Sequence, residues 1–239
     1  MHLYLIMYIN CLLFDMMKFT ILSPFERLPY FTIEAFRQIA GDHLADDAHA
    51  RTALYRWVKA GHLIAIKKGV YMHRRFYEQH HQDTSFLPMV SAILLSQSYL
   101  SLEYVLQQHG ILTEITFPLT AITIENTRTI LNSLGNFVYR HIQADLYQGF
   151  QITEAFGVPF AQASVAKALF DYLYLRPLPT DLVPQHYNLT EELRLNLDEF
   201  TQEGREEFAS YIQTIGEVKM GRKKMHRILE NLEYHVWLH

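Results

Sequence analysis

The chain has 239 residues, 49% of them hydrophobic, and a net charge of −4. That length fits one or two domains of ordinary size, and so apolar a composition excludes disorder as the main state. The single cysteine, Cys11, excludes an internal disulfide framework and a thiolate zinc site, and it points to the reducing cytoplasm.

Residues 3–14 are apolar except for Asn10. The stretch is shorter than the roughly 20 residues of a membrane-spanning helix. It also lacks the positive leader and small-residue cleavage site of a signal peptide. Met16 and Met17 follow, so residues 1–17 read as an extension ahead of a soluble domain, with no membrane partner.

Residues 18–78 read as a small helical unit closed by a hairpin. Thr32 suits the N-cap of a helix over 33–40, with Gly41 as its stop. A second helix is expected from an Asp47 cap to Ala60, ended by Gly61. Residues 63–66 and 70–72 are strand-forming runs around a Lys67-Lys68-Gly69 turn. Helix, helix, hairpin is the chain order of a winged helix-turn-helix.

This unit carries a basic island. From Arg51 to Tyr77 there are seven Lys or Arg residues and no acid, although the chain holds 25 acidic residues in all. On a helical wheel Leu54, Trp57 and Val58 share one face with Ala50. Thr52, Tyr55, Arg56 and Lys59 gather on the opposite face, flanked by Arg51. Such a face suits double-stranded promoter DNA: Arg forks onto guanine, Thr meets a thymine methyl, and Lys and Tyr reach phosphates. Lys67 and Lys68 at the wing tip, with Arg74 and Arg75 beyond it, complete the candidate DNA-binding set. A merely solvated face would ordinarily mix signs.

The polar stretch 74–86 predicts a domain boundary, and 86–239 a larger mixed α/β domain. Residues 87–108 suggest two helices broken near Ser98 and Tyr99. Residues 120–125 and 137–142 are strand candidates, and 150–156 with 158–160 flank Gly157 like a hairpin. A helix over 164–175 ends before Pro177 and Pro179. Residues 190–238 read as a charged helical tail with breaks near Gly204 and across 216–221, packed through Leu193, Leu197 and Phe200. The fold class expected is therefore α+β.

Three stretches carry a family resemblance. The first is Tyr55-Arg56-Trp57-Val58-Lys59-Ala60-Gly61-His62-Leu63 with Lys67-Lys68-Gly69-Val70-Tyr71 after it. The second is Tyr99-Leu100-Ser101-Leu102-Glu103-Tyr104-Val105-Leu106-Gln107-Gln108-His109-Gly110-Ile111. The third is Ala163-Ser164-Val165-Ala166-Lys167-Ala168-Leu169-Phe170-Asp171-Tyr172-Leu173-Tyr174-Leu175. In this order they resemble the AbiEi-type antitoxins of abortive-infection (type IV) toxin–antitoxin systems, over residues 18 to about 180. The chain departs at Val165 and Ala166, where that family tends to have Pro and Glu. The resemblance implies a winged-helix domain that represses its own operon and a C-terminal domain that supports antitoxin activity. It also implies a nucleotidyltransferase-like toxin as functional partner, which need not be touched directly. Ser101, His109, Arg140, Lys167 and Asp171 are the functional candidates of that domain. Lys167 and Asp171 lie one helical turn apart, a pair worth about 0.3–0.5 kcal/mol if exposed.

Other chemistry finds little footing. The 13 histidines show no ligand spacing, so neither metal nor cofactor is expected. No phosphate loop, nucleophile elbow or nucleotidyltransferase pattern is present, and the chain reads as a non-enzyme. The alternatives are a nucleic-acid enzyme, such as a nuclease built on Glu125, Asp145 and Lys167, and a stand-alone regulator.

Overall fold

The structure is a computed structural model and describes residues 21–41, 46–113, 118–179, 182–215 and 220–237. The extension 1–17, with Cys11, Met16 and Met17, lies outside them. The chain is mixed α+β, and its described residues form two compact units, one up to Leu94 together with 155–158 and the other from Leu95 to Glu154 together with the described residues from Pro159 onward. The division falls after Leu94, beyond the polar stretch 74–86.

In the first unit, β1 (Phe31–Thr32) leads into α1 (Ile33–Ala40), then α2 (Asp47–Lys59), β2 (Leu63–Lys67) and β3 (Val70–His73). The Thr32 hydroxyl accepts from the Ala35 amide at 3.2 Å and caps α1. The cap of α2 is Asp46, one residue before the expected Asp47; its carboxylate accepts from the His49 amide at 2.9 Å. The strands form a three-stranded antiparallel sheet in the order β1-β3-β2, with Phe31 opposite Tyr71 and Ile64 opposite Met72. An aromatic group fills the core. Phe25 stacks on Phe31 with ring centroids 4.1 Å apart, and Trp57 meets Phe36 edge-on at 5.7 Å. Leu54, Trp57 and Leu63 are buried with them.

Two helices complete the unit: α3 (Arg74–His80) and α4 (Phe86–Leu94). The polar stretch expected to be a boundary thus holds a helix. Its start is fixed by His73, whose Nδ1 accepts from the Arg75 amide at 3.1 Å.

The second unit is built on a six-stranded mixed sheet, β6-β7-β5-β4-β9-β8. The strands are β4 (Ser98–Leu100), β5 (Leu119–Thr123), β6 (Arg128–Asn132), β7 (Gly135–His141), β8 (Phe150–Ala155) and β9 (Val158–Ala163). β5 runs parallel to β7, and β4 parallel to β9. Two differences from the sequence reading stand out. The break near Ser98 and Tyr99 is a buried strand in the sheet interior, too short to reveal an alternating pattern. β6 escapes periodicity because it is an exposed edge strand; Leu131 is 79% exposed.

The helices of this unit are α5 (Glu103–Gln108), α6 (Val165–Leu175), α7 (Leu189–Leu193), α8 (Gln202–Thr214) and α9 (Met220–Leu232). Ser164 caps α6, accepting from the Lys167 amide at 3.0 Å. Gly204 does not break the tail. It lies in the first turn of α8, where an added Cβ would sit 3.1 Å from the Phe200 ring, so glycine there permits close packing. The tail is interrupted instead at 194–201, between α7 and α8, and the break expected across 216–221 falls largely outside the described residues.

Candidate functional site

The basic residues of the first unit separate into two groups. On α2 the apolar face turns inward, with Ala50, Leu54 and Trp57 at 1% exposure or less and Val58 half-buried. Arg51, Thr52, Tyr55, Arg56 and Lys59 are all exposed on the other side. Tyr55 is 63% exposed, and the Lys59 ammonium lies over its ring at 5.7 Å. The Thr52 hydroxyl donates to the Ala48 carbonyl at 2.8 Å. Lys68 is exposed in the turn between β2 and β3.

The remaining three candidates are engaged inside the unit. Lys67 Nζ donates to the Leu94 carbonyl at 3.3 Å. Arg74 Nε donates to the Gly61 carbonyl at 3.0 Å and its guanidinium lies over Tyr77. Arg75 pairs with Glu26 at 2.8 Å. Lys67 and Arg75 remain solvent-exposed despite these bonds, and sequence alone could not identify the partners, which lie up to 49 residues away.

In the second unit, three of the five candidates meet in one buried cluster. Ser101, Lys167 and Asp171 have no solvent exposure. The Asp171 carboxylate accepts from Lys167 Nζ at 2.5 Å, Ser101 Oγ at 2.8 Å and the Tyr99 hydroxyl at 2.9 Å. The Lys167 ammonium is ringed by Phe170, Tyr211 and Tyr99, with centroids 4.9, 5.3 and 5.8 Å away. Burial pushes the Asp171 carboxyl up from its ordinary pKa, against the pull of Lys167 and the two hydroxyls. Burial likewise pushes Lys167 down, with Asp171 opposing. Desolvation and the neighbouring carboxylate raise the Tyr99 phenol, which keeps it a donor.

An outer layer closes the cluster. Glu207 accepts from Ser164 Oγ and from the Tyr211 hydroxyl, each at 2.5 Å. Gly149, at φ +75, lies where a Cβ would run into the Tyr211 hydroxyl and ring. The arrangement joins β4, α6 and α8 through one carboxylate and one ammonium. Sequence reading placed Lys167 and Asp171 on one helix face but missed Tyr99, Tyr211 and Glu207, whose residue types carry no signal of their own.

The other two candidates lie elsewhere. His109 is exposed at the C-terminal end of α5. Arg140, on β7, lines an open cleft of about 280 Å³. Of the residues named for a nuclease, Glu125 pairs with Arg128 at 2.7 Å on the surface and Lys167 is sealed from solvent. Among the described residues no three His, Cys, Asp or Glu side chains gather as a metal site requires, and no helix is long and apolar enough to cross a membrane. The chain matches no protein-family model and no curated protein.

Proposed function

We propose that the chain is a DNA-binding transcriptional regulator, with the first unit acting as a winged helix-turn-helix and α2 as its groove-reading helix. The observation that carries this reading is the outward face of α2. Five DNA-compatible side chains stand exposed there without an acid among them, opposite an apolar face whose Ala50, Leu54 and Trp57 are buried. The order β1-α1-α2-β2-β3, with the basic Lys68 in the hairpin turn, supports the same reading. The resemblance to AbiEi-type antitoxins extends it: the regulator represses its own operon in the cytoplasm and counters a nucleotidyltransferase-like toxin.

The test is titration of the chain's own upstream promoter fragment by fluorescence anisotropy. Arg56→Ala is expected to cost about 1–3 kcal/mol on the preferred site and little on random DNA, because a guanine fork reads sequence. Equal losses on both would remove Arg56 from base reading, and absence of binding at low salt would remove the DNA role. For the antitoxin role, co-expression with the adjacent toxin is expected to restore growth only when residues from 86 onward are present.

A further inference from the structure

The second unit holds a cleft that neither the DNA face nor the buried cluster uses. Glu103, Tyr172 and Arg176 line two adjoining hollows of about 280 and 430 Å³. Arg140 enters the first and Arg194 the second. The combined space lies within the roughly 300–1,000 Å³ of small-molecule sites.

Three observations mark the cleft as built. First, Arg176 is held in place: its Nη1 donates to the Tyr172 hydroxyl at 2.6 Å and its guanidinium lies 5.1 Å from the centre of that ring. Second, Arg140 and Glu103 enter no ion pair among the described residues. Opposite charges therefore line one hollow without neutralising each other. Third, the described residues include three non-glycine positions with positive φ, and two of them, Leu102 (φ 60) and Arg194 (φ 51), line this cleft. Strained backbone of this kind gathers at ligand sites, where the surroundings must hold it. Here they do: Ser101, next to Leu102, is pinned by Asp171, and its carbonyl accepts from Thr120 Oγ1 at 2.8 Å.

We infer that this cleft binds a small phosphate ester carrying free hydroxyls, of the nucleotide or sugar-phosphate kind, with Arg140 and Arg176 on the phosphate and Glu103 accepting from hydroxyls. Guanidinium groups match phosphate oxygens in forked geometry. A carboxylate beside them repels a bare anion and is compensated only when the ligand brings donors. The inference goes beyond the DNA reading and does not depend on it.

The experiment is calorimetric titration of the full chain with AMP, ribose 5-phosphate and inorganic phosphate. Saturable binding of one or both esters at up to millimolar concentration is expected, weakened about tenfold or more by Arg140→Ala. AMP binding tighter than ribose 5-phosphate assigns the site to nucleotides, and equal binding assigns it to sugar phosphates. Glu103→Ala should act in opposite directions, weakening the ester and strengthening inorganic phosphate. Thermal melts of both variants must stay near the parent value, which separates lost binding from lost folding. Arg56→Ala should leave ester binding unchanged, so failure here and failure of the DNA reading are distinguishable. Absence of saturable ester binding, or ester binding indifferent to Arg140→Ala or abolished by Arg56→Ala, would overturn the inference.

Discussion

At the residue scale the informative side chains are those whose charge is buried. Lys167 and Asp171 sit at full burial, where desolvating two ions costs nearly what their attraction returns. Removing one partner strands the other. Asp171→Ala is therefore expected to destabilise the second unit by about 3–5 kcal/mol, whereas Lys167→Met combined with Asp171→Leu should be far milder than the sum of the single changes. Urea denaturation of the parent, Asp171→Ala, the single variants Lys167→Met and Asp171→Leu, and the double variant measures this, and additive losses would refute the coupling. A second residue-scale case is His73. Burial lowers its pKa from the ordinary 6.5, and its Nδ1 must stay unprotonated to cap α3. The unfolded chain thus takes up the proton more readily than the folded one, and stability rises with pH across that window. Acidification from 6.5 downward through the folded-state pKa should destabilise the first unit. His73→Asn, which keeps an acceptor without titrating there, should flatten that part of the pH profile in thermal melts.

Elements are held by a few long-range polar contacts laid over apolar packing. Lys224 on α9 donates to the carbonyls of Tyr174 at 2.9 Å and Arg176 at 2.6 Å, which close the C-terminal end of α6. A cation is favoured there by the helix dipole and by carbonyls lacking helical partners. Lys224→Met retains most of the apolar stem and is expected to cost about 1–2 kcal/mol in a denaturant titration, since hydrogen bonds with a charged donor contribute about 1.5–3 kcal/mol and this one is only half-buried. In the first unit the corresponding support is aromatic. Trp57 on α2 packs edge-on against Phe36 on α1, and Trp57→Ala should cost about 3–5 kcal/mol and eliminate DNA binding with it.

At the scale of the whole molecule, charge distribution matters more than its total. The net charge of −4 would disfavour a polyanion, yet the run from Arg51 to Tyr77 contains no acid. Local contacts release counterions, whereas acids beyond a Debye length are screened. The logarithm of DNA affinity is accordingly expected to fall linearly with the logarithm of salt concentration, with a slope near −0.9 for each phosphate contact. Lys68→Ala should shallow that slope by about one unit on any sequence. Lys67→Ala should change it less, because that ammonium already donates to the Leu94 carbonyl. Anisotropy titrations at several salt concentrations check both, and equal effects of the two changes would contradict the tethering of Lys67.

Features that depend on near neighbours were legible in residue order alone. The Thr32 cap, the two faces of α2, the turn at Gly157 and the pairing of Lys167 with Asp171 all rest on contacts within about one helical turn or one hairpin. Which of these groups lose their water depends on segments far apart in the chain. An i,i+4 pair reads alike whether exposed or buried. What seals Lys167 and Asp171 comes from Tyr99, 72 residues before Asp171, and from Tyr211 and Glu207 on α8. The same holds for the three-residue strand β4, the edge strand β6 and the positive-φ residues beside the Arg140 cleft. None has a local pattern, because burial, edge position and backbone strain are imposed by segments distant along the chain.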